Sequence, residues 1–411
     1  MPTHVAEPPR HPHPVAYLIL YLPFGISGGY VTVTLAYLLT QSGISVVTVA
    51  GLAALSVLPQ TWKVLWAPIV DTTLTAKRWY LISTLGIGLF LVATAFVPAK
   101  VESMWLLDIL VLLASITSSV SAMATERLMA HSTPDNLKGR AGGWSQAGNL
   151  GGVGLGGGAG LWMAVHAVPW SAGAALGSFS LLCCAALVLL QEETRAHDGT
   201  RYIDNVLAIG RDVWTVARSR AGYLTLILFF LPIGTGAASN LWAAVAGDWR
   251  ATADTVALVN GALSGVISMA GCIVAGYICD VMDRKTSYAA FAILMAACAV
   301  AMAMAGRTEV MFILFTSLYS FLNGFCYASF SAVTLETIGK GAAATKYNLL
   351  ACLANMPITY MTLIDGQAQA RWGSGGMLYT EAALGVVGVV VFALIALASR
   401  PRAAAVAPAP S

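Results

Sequence analysis

Along the 411 residues, apolar positions gather into long runs and polar positions into short stretches between them. Twelve runs stand out, at roughly 15–40, 44–69, 79–98, 104–128, 141–166, 170–191, 221–246, 255–280, 287–305, 310–334, 347–370 and 377–399. A helix needs about 20 apolar residues to cross the hydrocarbon core of a bilayer, and each run is near that length. The strict apolar–polar alternation of a membrane β-strand is missing. The pattern predicts an all-α integral membrane protein with twelve transmembrane helices.

Composition agrees. Charged residues make up 10% of the chain and hydrophobic ones 58%. A soluble domain carries about 25% charged residues, so this chain cannot cover a water-facing surface. The net charge of +3 says little about partners, but the placement of basic residues orients the chain. Lys100, Arg250, Arg307 and Arg371 fall on one side, and Lys63 falls inside a span. The remaining lysines and arginines fall on the side of the two termini. Basic loops mark the cytoplasmic side, so both termini are expected in the cytoplasm. The tail MPTHVAEPPRHPHP is polar and Pro-rich, and the run after it is too long for a signal-peptide core, so it reads as the first helix. No N-x-S/T sequon occurs, which fits a bacterial inner membrane. The seven cysteines lie within predicted spans without ligand spacing, and read as small packing residues.

A polar stretch at 192–220 separates six spans from six. The expected organisation is a cytoplasmic tail (1–14), a six-helix bundle (15–191), a cytoplasmic linker (192–220), a second bundle (221–399) and a tail (400–411). Residues 203–218 of the linker have apolar positions at helical spacing, which suits either a membrane-surface helix or a tie between the halves. The halves echo each other. LPFGISGG in span 1 matches LPIGTGAAS in span 7, with Pro23 and Pro232 offset by 209. Asp71 and Asp280 share that offset, and Glu126 and Glu336 differ by 210. Three matches near one offset point to a duplicated six-helix unit.

Residues 276–285 read GYICDVMDRK. This string, Gly276, Asp280, then Arg284 and Lys285, resembles the loop signature of the major facilitator superfamily. KVLWAPIVD, ending in Asp71 and followed by Lys77 and Arg78, is similar to its first-half copy, with Ala67 at the glycine position. The resemblance implies a major facilitator fold of two pseudo-symmetric six-helix halves. It also implies that each aspartate sits at the N-terminal end of a helix in the opposite half and latches the cytoplasmic side. Glu126 and Glu336, at the ends of spans 4 and 10, are expected to be charge partners of the two loop motifs. The Lys-Val-Leu-Trp-Ala-Pro string and the glycine-rich passage RLMAHSTPDNLKGRAGGWSQAGNLGGVGLGGGAGLW resemble the anhydromuropeptide permease and acetyl-CoA transporter family, which includes some siderophore uptake permeases. Span 4 departs from that family: ASITSSVSAMATERL is rich in hydroxyls, with no acid before Glu126.

Other candidates come from polar residues inside spans. Gln60, Gln146, Asn149, Asn240 and Asn355 are expected to line a cavity. Lys63 either snorkels to the headgroups or faces that cavity, where it would meet a carboxylate or phosphate. Asp365 is the candidate for ion coupling, with a surface pair to Arg371 as the alternative. Gly148, Gly152, Gly156 and Gly160 share one helix face and predict close helix packing. No ATP-binding motif and no clustered nucleophile or metal ligands are present in the sequence, so no cofactor and no enzyme activity are expected. The expected function is secondary active transport by alternating access, as proton-coupled uptake of a muropeptide or siderophore-like solute. Export, an unrelated solute, or a membrane sensor on the same fold are the alternatives. The expected partners are the lipid bilayer, a small-molecule solute and protons, with no nucleic acid, for a chain acting as a monomer.

Overall fold

The computed structural model describes residues 12–168, 170–190 and 202–399. Most of the N-terminal tail, the first part of the linker (192–201) and the C-terminal tail (400–411) lie outside the described residues. Among the described residues, twelve helical segments run through the molecule. They are α1 (Val15–Gln41), α2 (46–72), α3 (Ala76–Phe96), α4 (Val101–Ser132), α5 (138–166), α6 (Trp170–Leu189), α7 (220–249), α8 (Asp254–Val281), α9 (Arg284–Met304), α10 (Glu309–Ile338), α11 (343–372) and α12 (374–398). Among the described residues, eight continuous helices are long and apolar enough to cross a membrane. One of these, Ala343–Ala398, holds both α11 and α12, turned at Gly373 with φ 70°. The other three spans, α2, α5 and α7, are broken or poor in large apolar residues, and the breaks prove informative.

In α2, a 3-10 turn at Lys63–Leu65 interrupts the helix. Pro68 follows and has no N–H for the Val64 carbonyl, so the ladder cannot run on. In α7 the regular helix stops at Phe230, just before Pro232, and Gly234 and Gly236 take left-handed φ values of 61° and 67°. Span 1, by contrast, absorbs Pro23 within its helix and loosens into a π-helical stretch at Tyr30–Leu35.

The glycine stripe of α5 packs as expected, against α1. A Cβ at Gly148 would lie 2.2 Å from the Leu18 carbonyl, and one at Gly156 2.2 Å from that of Ile26. No larger residue allows that approach. The other faces of α5 meet the second half, with Gly143 against the Cys272 carbonyl of α8 and Gly142 against Ala332 of α10. The halves therefore touch along α5, α8 and α10 on one side, and along α2, α4 and α11 on the other.

The described part of the linker forms a helix at Tyr202–Arg218, on the end of the molecule where α1 begins and α12 ends. Its Val213 and Val216 face Leu226, Leu349 and Leu350, while Leu207 and Trp214 stay exposed. Asp212 pairs with Lys346 at 2.8 Å, which fastens the linker to the first turn of α11. Both suggested roles of this segment, surface helix and tie, are compatible with that placement.

Candidate functional site

Two aspartates bridge the halves at the end of the molecule where α1 begins and α12 ends. The first turn of a helix leaves backbone N–H groups unpaired and carries partial positive charge. Asp71, at the end of α2, sits on the first turn of α11. Its Oδ1 accepts from the Ala344 N–H at 3.1 Å, and its Oδ2 from the Thr345 N–H at 2.8 Å and hydroxyl at 2.7 Å. Asp280, at the end of α8, does the same on α5. Its Oδ1 accepts from the N–H groups of Gly139 (2.8 Å) and Arg140 (3.3 Å), and its Oδ2 from Arg140 Nε at 2.6 Å. Each contact joins opposite halves. A Cβ at Gly139 would stand 2.6 Å from both Asp280 Oδ1 and the Gly276 carbonyl, so glycine at 139 permits the contact.

The basic residues of the two motifs divide. Arg284 reaches Glu336 at 3.4 Å and also donates to the Asp135 carbonyl across the halves. Lys285 donates to the Ala221 carbonyl at 2.9 Å and Lys77 to the Leu190 carbonyl at 2.6 Å, each within its own half. Arg78 is exposed.

Between the halves lies a cavity of about 310 Å³. Gln60, Lys63, Gln146, Asn149 and Asn355 line it, together with Tyr21, Glu126, Tyr288 and Tyr347. Apolar patches from Phe24, Val153, Phe229 and Phe330 complete the wall. A second cavity of about 200 Å³ shares Phe24, Gln60 and Asn149 with it, and runs on past Ser56, Ser115 and Ser118. The hydroxyl-rich face of α4 thus lines a branch of the same space.

Lys63 belongs to the break in α2, is 7% exposed, and faces the central cavity. Its ammonium makes no hydrogen bond or ion pair among the described residues. Of the two readings of this residue, the geometry is that of a cavity residue.

Glu126 departs from expectation. It is 1% exposed and lies in the cavity wall, within electrostatic reach of Lys63 and Asp71, and makes no ion pair with Lys77 or Arg78 among the described residues. Its carboxylate accepts from the Tyr21 hydroxyl at 2.6 Å and from Asn348 Nδ2 at 2.6 Å, so it joins α4 to α1 and to α11 of the other half. The reason is register. At the repeat offset of 209, Glu126 matches Leu335, and it is Arg127 that matches Glu336. One residue turns a side chain by about 100° around a helix of 3.6 residues per turn. Arg127 donates to the carbonyls of Val70 (2.5 Å) and Leu74 (3.2 Å), beside the first motif, as Glu336 pairs beside the second.

Asn240 also departs. It is exposed, away from the central cavity, and donates to the Thr362 hydroxyl of α11 at 2.9 Å. Asp365 is fully buried with neither carboxyl oxygen partnered among the described residues, and the alternative pair with Arg371 does not form. Its neighbour is Glu381 of α12, whose carboxyl accepts from the Tyr319 hydroxyl. Sequence reasoning passed over Tyr21, Tyr347, Asn348 and Glu381 as site residues. For Glu381 a signal existed: Asp365 and Glu381 lie at equal distances from Gly373, so a hairpin turning there puts them at one depth.

Comparison with known proteins now adds the relationship. Residues 16–359 match the family model described as Major Facilitator Superfamily. The human organic anion transporter MFSD10 (TETRAN) superposes with a TM-score of 0.71 at 15% identity, covering 92% of this chain and 98% of that one. The proton:xylose symporter XylE, bound to 6-bromo-6-deoxy-D-glucose, superposes with a TM-score of 0.67 at 13% identity, covering 93% and 95%. At these identities the two structures speak for the fold alone.

Proposed function

The chain belongs to the major facilitator superfamily, whose members are membrane transporters and not enzymes, and on that premise we propose that it carries a small organic anion across the inner membrane by alternating access, driven by protons. The observation that carries the substrate reading is Lys63. A buried ammonium with no hydrogen bond or ion pair among the described residues, and only the longer-range field of Glu126 to offset it, is costly, and a solute carboxylate or phosphate entering the cavity lowers that cost. Gln60, Gln146, Asn149 and Asn355 offer hydrogen bonds to the rest of the solute, and the phenyl groups of Phe24 and Phe330 offer apolar contact.

The reading of the terminal end as the cytoplasmic gate rests on the two aspartate contacts and on the basic loops there. With both contacts made, this conformation is the one closed to the cytoplasm. Rocking of the halves breaks them and opens the cavity to that side.

The volume bears on solute size. A space of about 310 Å³ lies at the small end of the range for ligand pockets, about 300–1,000 Å³. That suits a small acid better than a muropeptide or a ferric siderophore, the solutes implied by the resemblance in the first five spans. Those solutes would require a wider state of the cavity.

Binding tests the reading directly. Purified protein is screened by thermal shift against small carboxylates, their neutral amides, an anhydromuropeptide and a ferric siderophore. Stabilisation by carboxylates over their amides, lost in Lys63→Gln, is the expected result. Equal response to acid and amide, or an unchanged response in Lys63→Gln, would remove the anion assignment. Stabilisation by the muropeptide or siderophore alone would return the substrate to those families.

A further inference from the structure

We infer that Asp365 and Glu381 together hold one proton inside the C-terminal half, and that this pair is the coupling-ion site, separate from the solute cavity. The inference rests on the proposed proton-driven transport and gives it a location.

Both side chains are buried, Asp365 at 0% and Glu381 at 8% exposure. Among the described residues, both oxygens of Asp365 and Oε2 of Glu381 lack a hydrogen-bond partner. Each acid stands eight residues from Gly373 along α11 and α12, about 12 Å from the turn at 1.5 Å per residue, so the antiparallel hairpin sets them side by side. The groups that face them are Tyr319 and Cys326 of α10, Cys298 of α9 and the Ala238 N–H of α7. None of these is a cation. The nearby Arg307 is engaged elsewhere, with Ser374 and over the Trp249 ring, and Arg371 is exposed.

Two adjacent carboxylates without a cation cannot both be ionised in a dry interior. One proton shared between them leaves a single charge, which the Tyr319 hydroxyl stabilises by donating to Glu381. The proton is then a property of the pair.

A route links the pair to the solute. Glu381 borders a small cavity of about 20 Å³ against Gly234 and Thr235 of the broken α7. That is room for one water. Gly234 and Thr235 also line the central cavity. The break in α7 is thus a thin wall between solute and proton, and movement of that segment on solute binding alters the access of water to Glu381.

The test needs no solute. Infrared spectra of the purified protein in lipid are taken through a pH titration for wild type, Asp365→Asn and Glu381→Gln, with Tyr319→Phe as the milder variant. A protonated carboxyl band in wild type at neutral pH, removed by either acid substitution and moved by Tyr319→Phe, is expected. A band unchanged in both acid variants, or missing from wild type, overturns the pair. In parallel, the distance between spin labels on the two terminal-end loops is measured in acidic and alkaline buffer. Wild type should shift its open and closed populations with pH, and Asp365→Asn should not. An equal shift in Asp365→Asn overturns the coupling role. No shift in wild type, with the infrared band present, leaves the proton site standing and overturns proton-driven gating.

Discussion

Replacing Asp280 by Asn should open the terminal end more than the same change at Asp71. The two aspartates cap equivalent helices, and Asp280 in addition forms an ion pair, with Arg140 Nε at 2.6 Å. Asn keeps an oxygen for the backbone N–H groups and loses the negative charge. At Asp280 this removes a charge-assisted hydrogen bond, about 1.5–3 kcal/mol, and the interaction with the helix dipole, about 0.3–1 kcal/mol. The Arg140 side chain is 37% exposed, so solvent screening favours the lower end, about 2 kcal/mol or a roughly 30-fold shift in the closed-to-open ratio. At Asp71 the dipole interaction and part of the bonding to Ala344 and Thr345 are lost, about 1 kcal/mol or roughly fivefold. The ratio can be read by electron–electron resonance between labels at the exposed positions Asn136 and Lys340, one in each half, with the native cysteines replaced. Equal shifts in the two variants, or none in Asp280→Asn, would refute the latch reasoning.

Gly139→Ala should act in the same direction through sterics. Its Cβ would need Gly276 and Asp280 to retreat, at about 1–3 kcal/mol, and the label distance at the terminal end should lengthen. Glu126→Gln leaves one of the buried donors Tyr21 or Asn348 without an acceptor, at about 1–3 kcal/mol, and should tighten anion binding several-fold, because it removes the negative charge facing the same cavity as Lys63; weaker binding in a titration of folded protein would count against Lys63 as the anion site. Asp212→Asn breaks a half-exposed pair with Lys346 worth at most about 1 kcal/mol, and should raise the proteolytic sensitivity of the linker helix without changing anion affinity.

The sequence carried the architecture because its signals are long. Twelve apolar runs and one offset between Asp71 and Asp280 are enough to place two six-helix halves, and both aspartates lie on helix ends of the opposite half as the motif resemblance implied. Residue-level orientation was less legible. Glu126 and Glu336 were matched across an offset of 210, and the one-residue error is a third of a turn, enough to move a carboxyl from loop to cavity. The orientation of Lys63 depended on the break that Pro68 imposes, since an unbroken helix would carry it to a different face. Asn240 was chosen as a polar residue inside span 7, and the break between Pro232 and Gly236 leaves it exposed instead. The Asp365–Glu381 pair depends on where the last hairpin turns, and Gly373 alone marks that place.

The most direct test of the account is flux. Purified protein in liposomes is given a panel of isotopically labelled small carboxylates, with and without an imposed proton gradient, beside Lys63→Gln and Asp365→Asn. The account predicts accumulation of a carboxylate above equilibrium only with the gradient, loss of uptake in Lys63→Gln, and gradient-independent equilibration in Asp365→Asn. Accumulation of neutral solutes in place of acids, or acid uptake indifferent to the gradient, would contradict it.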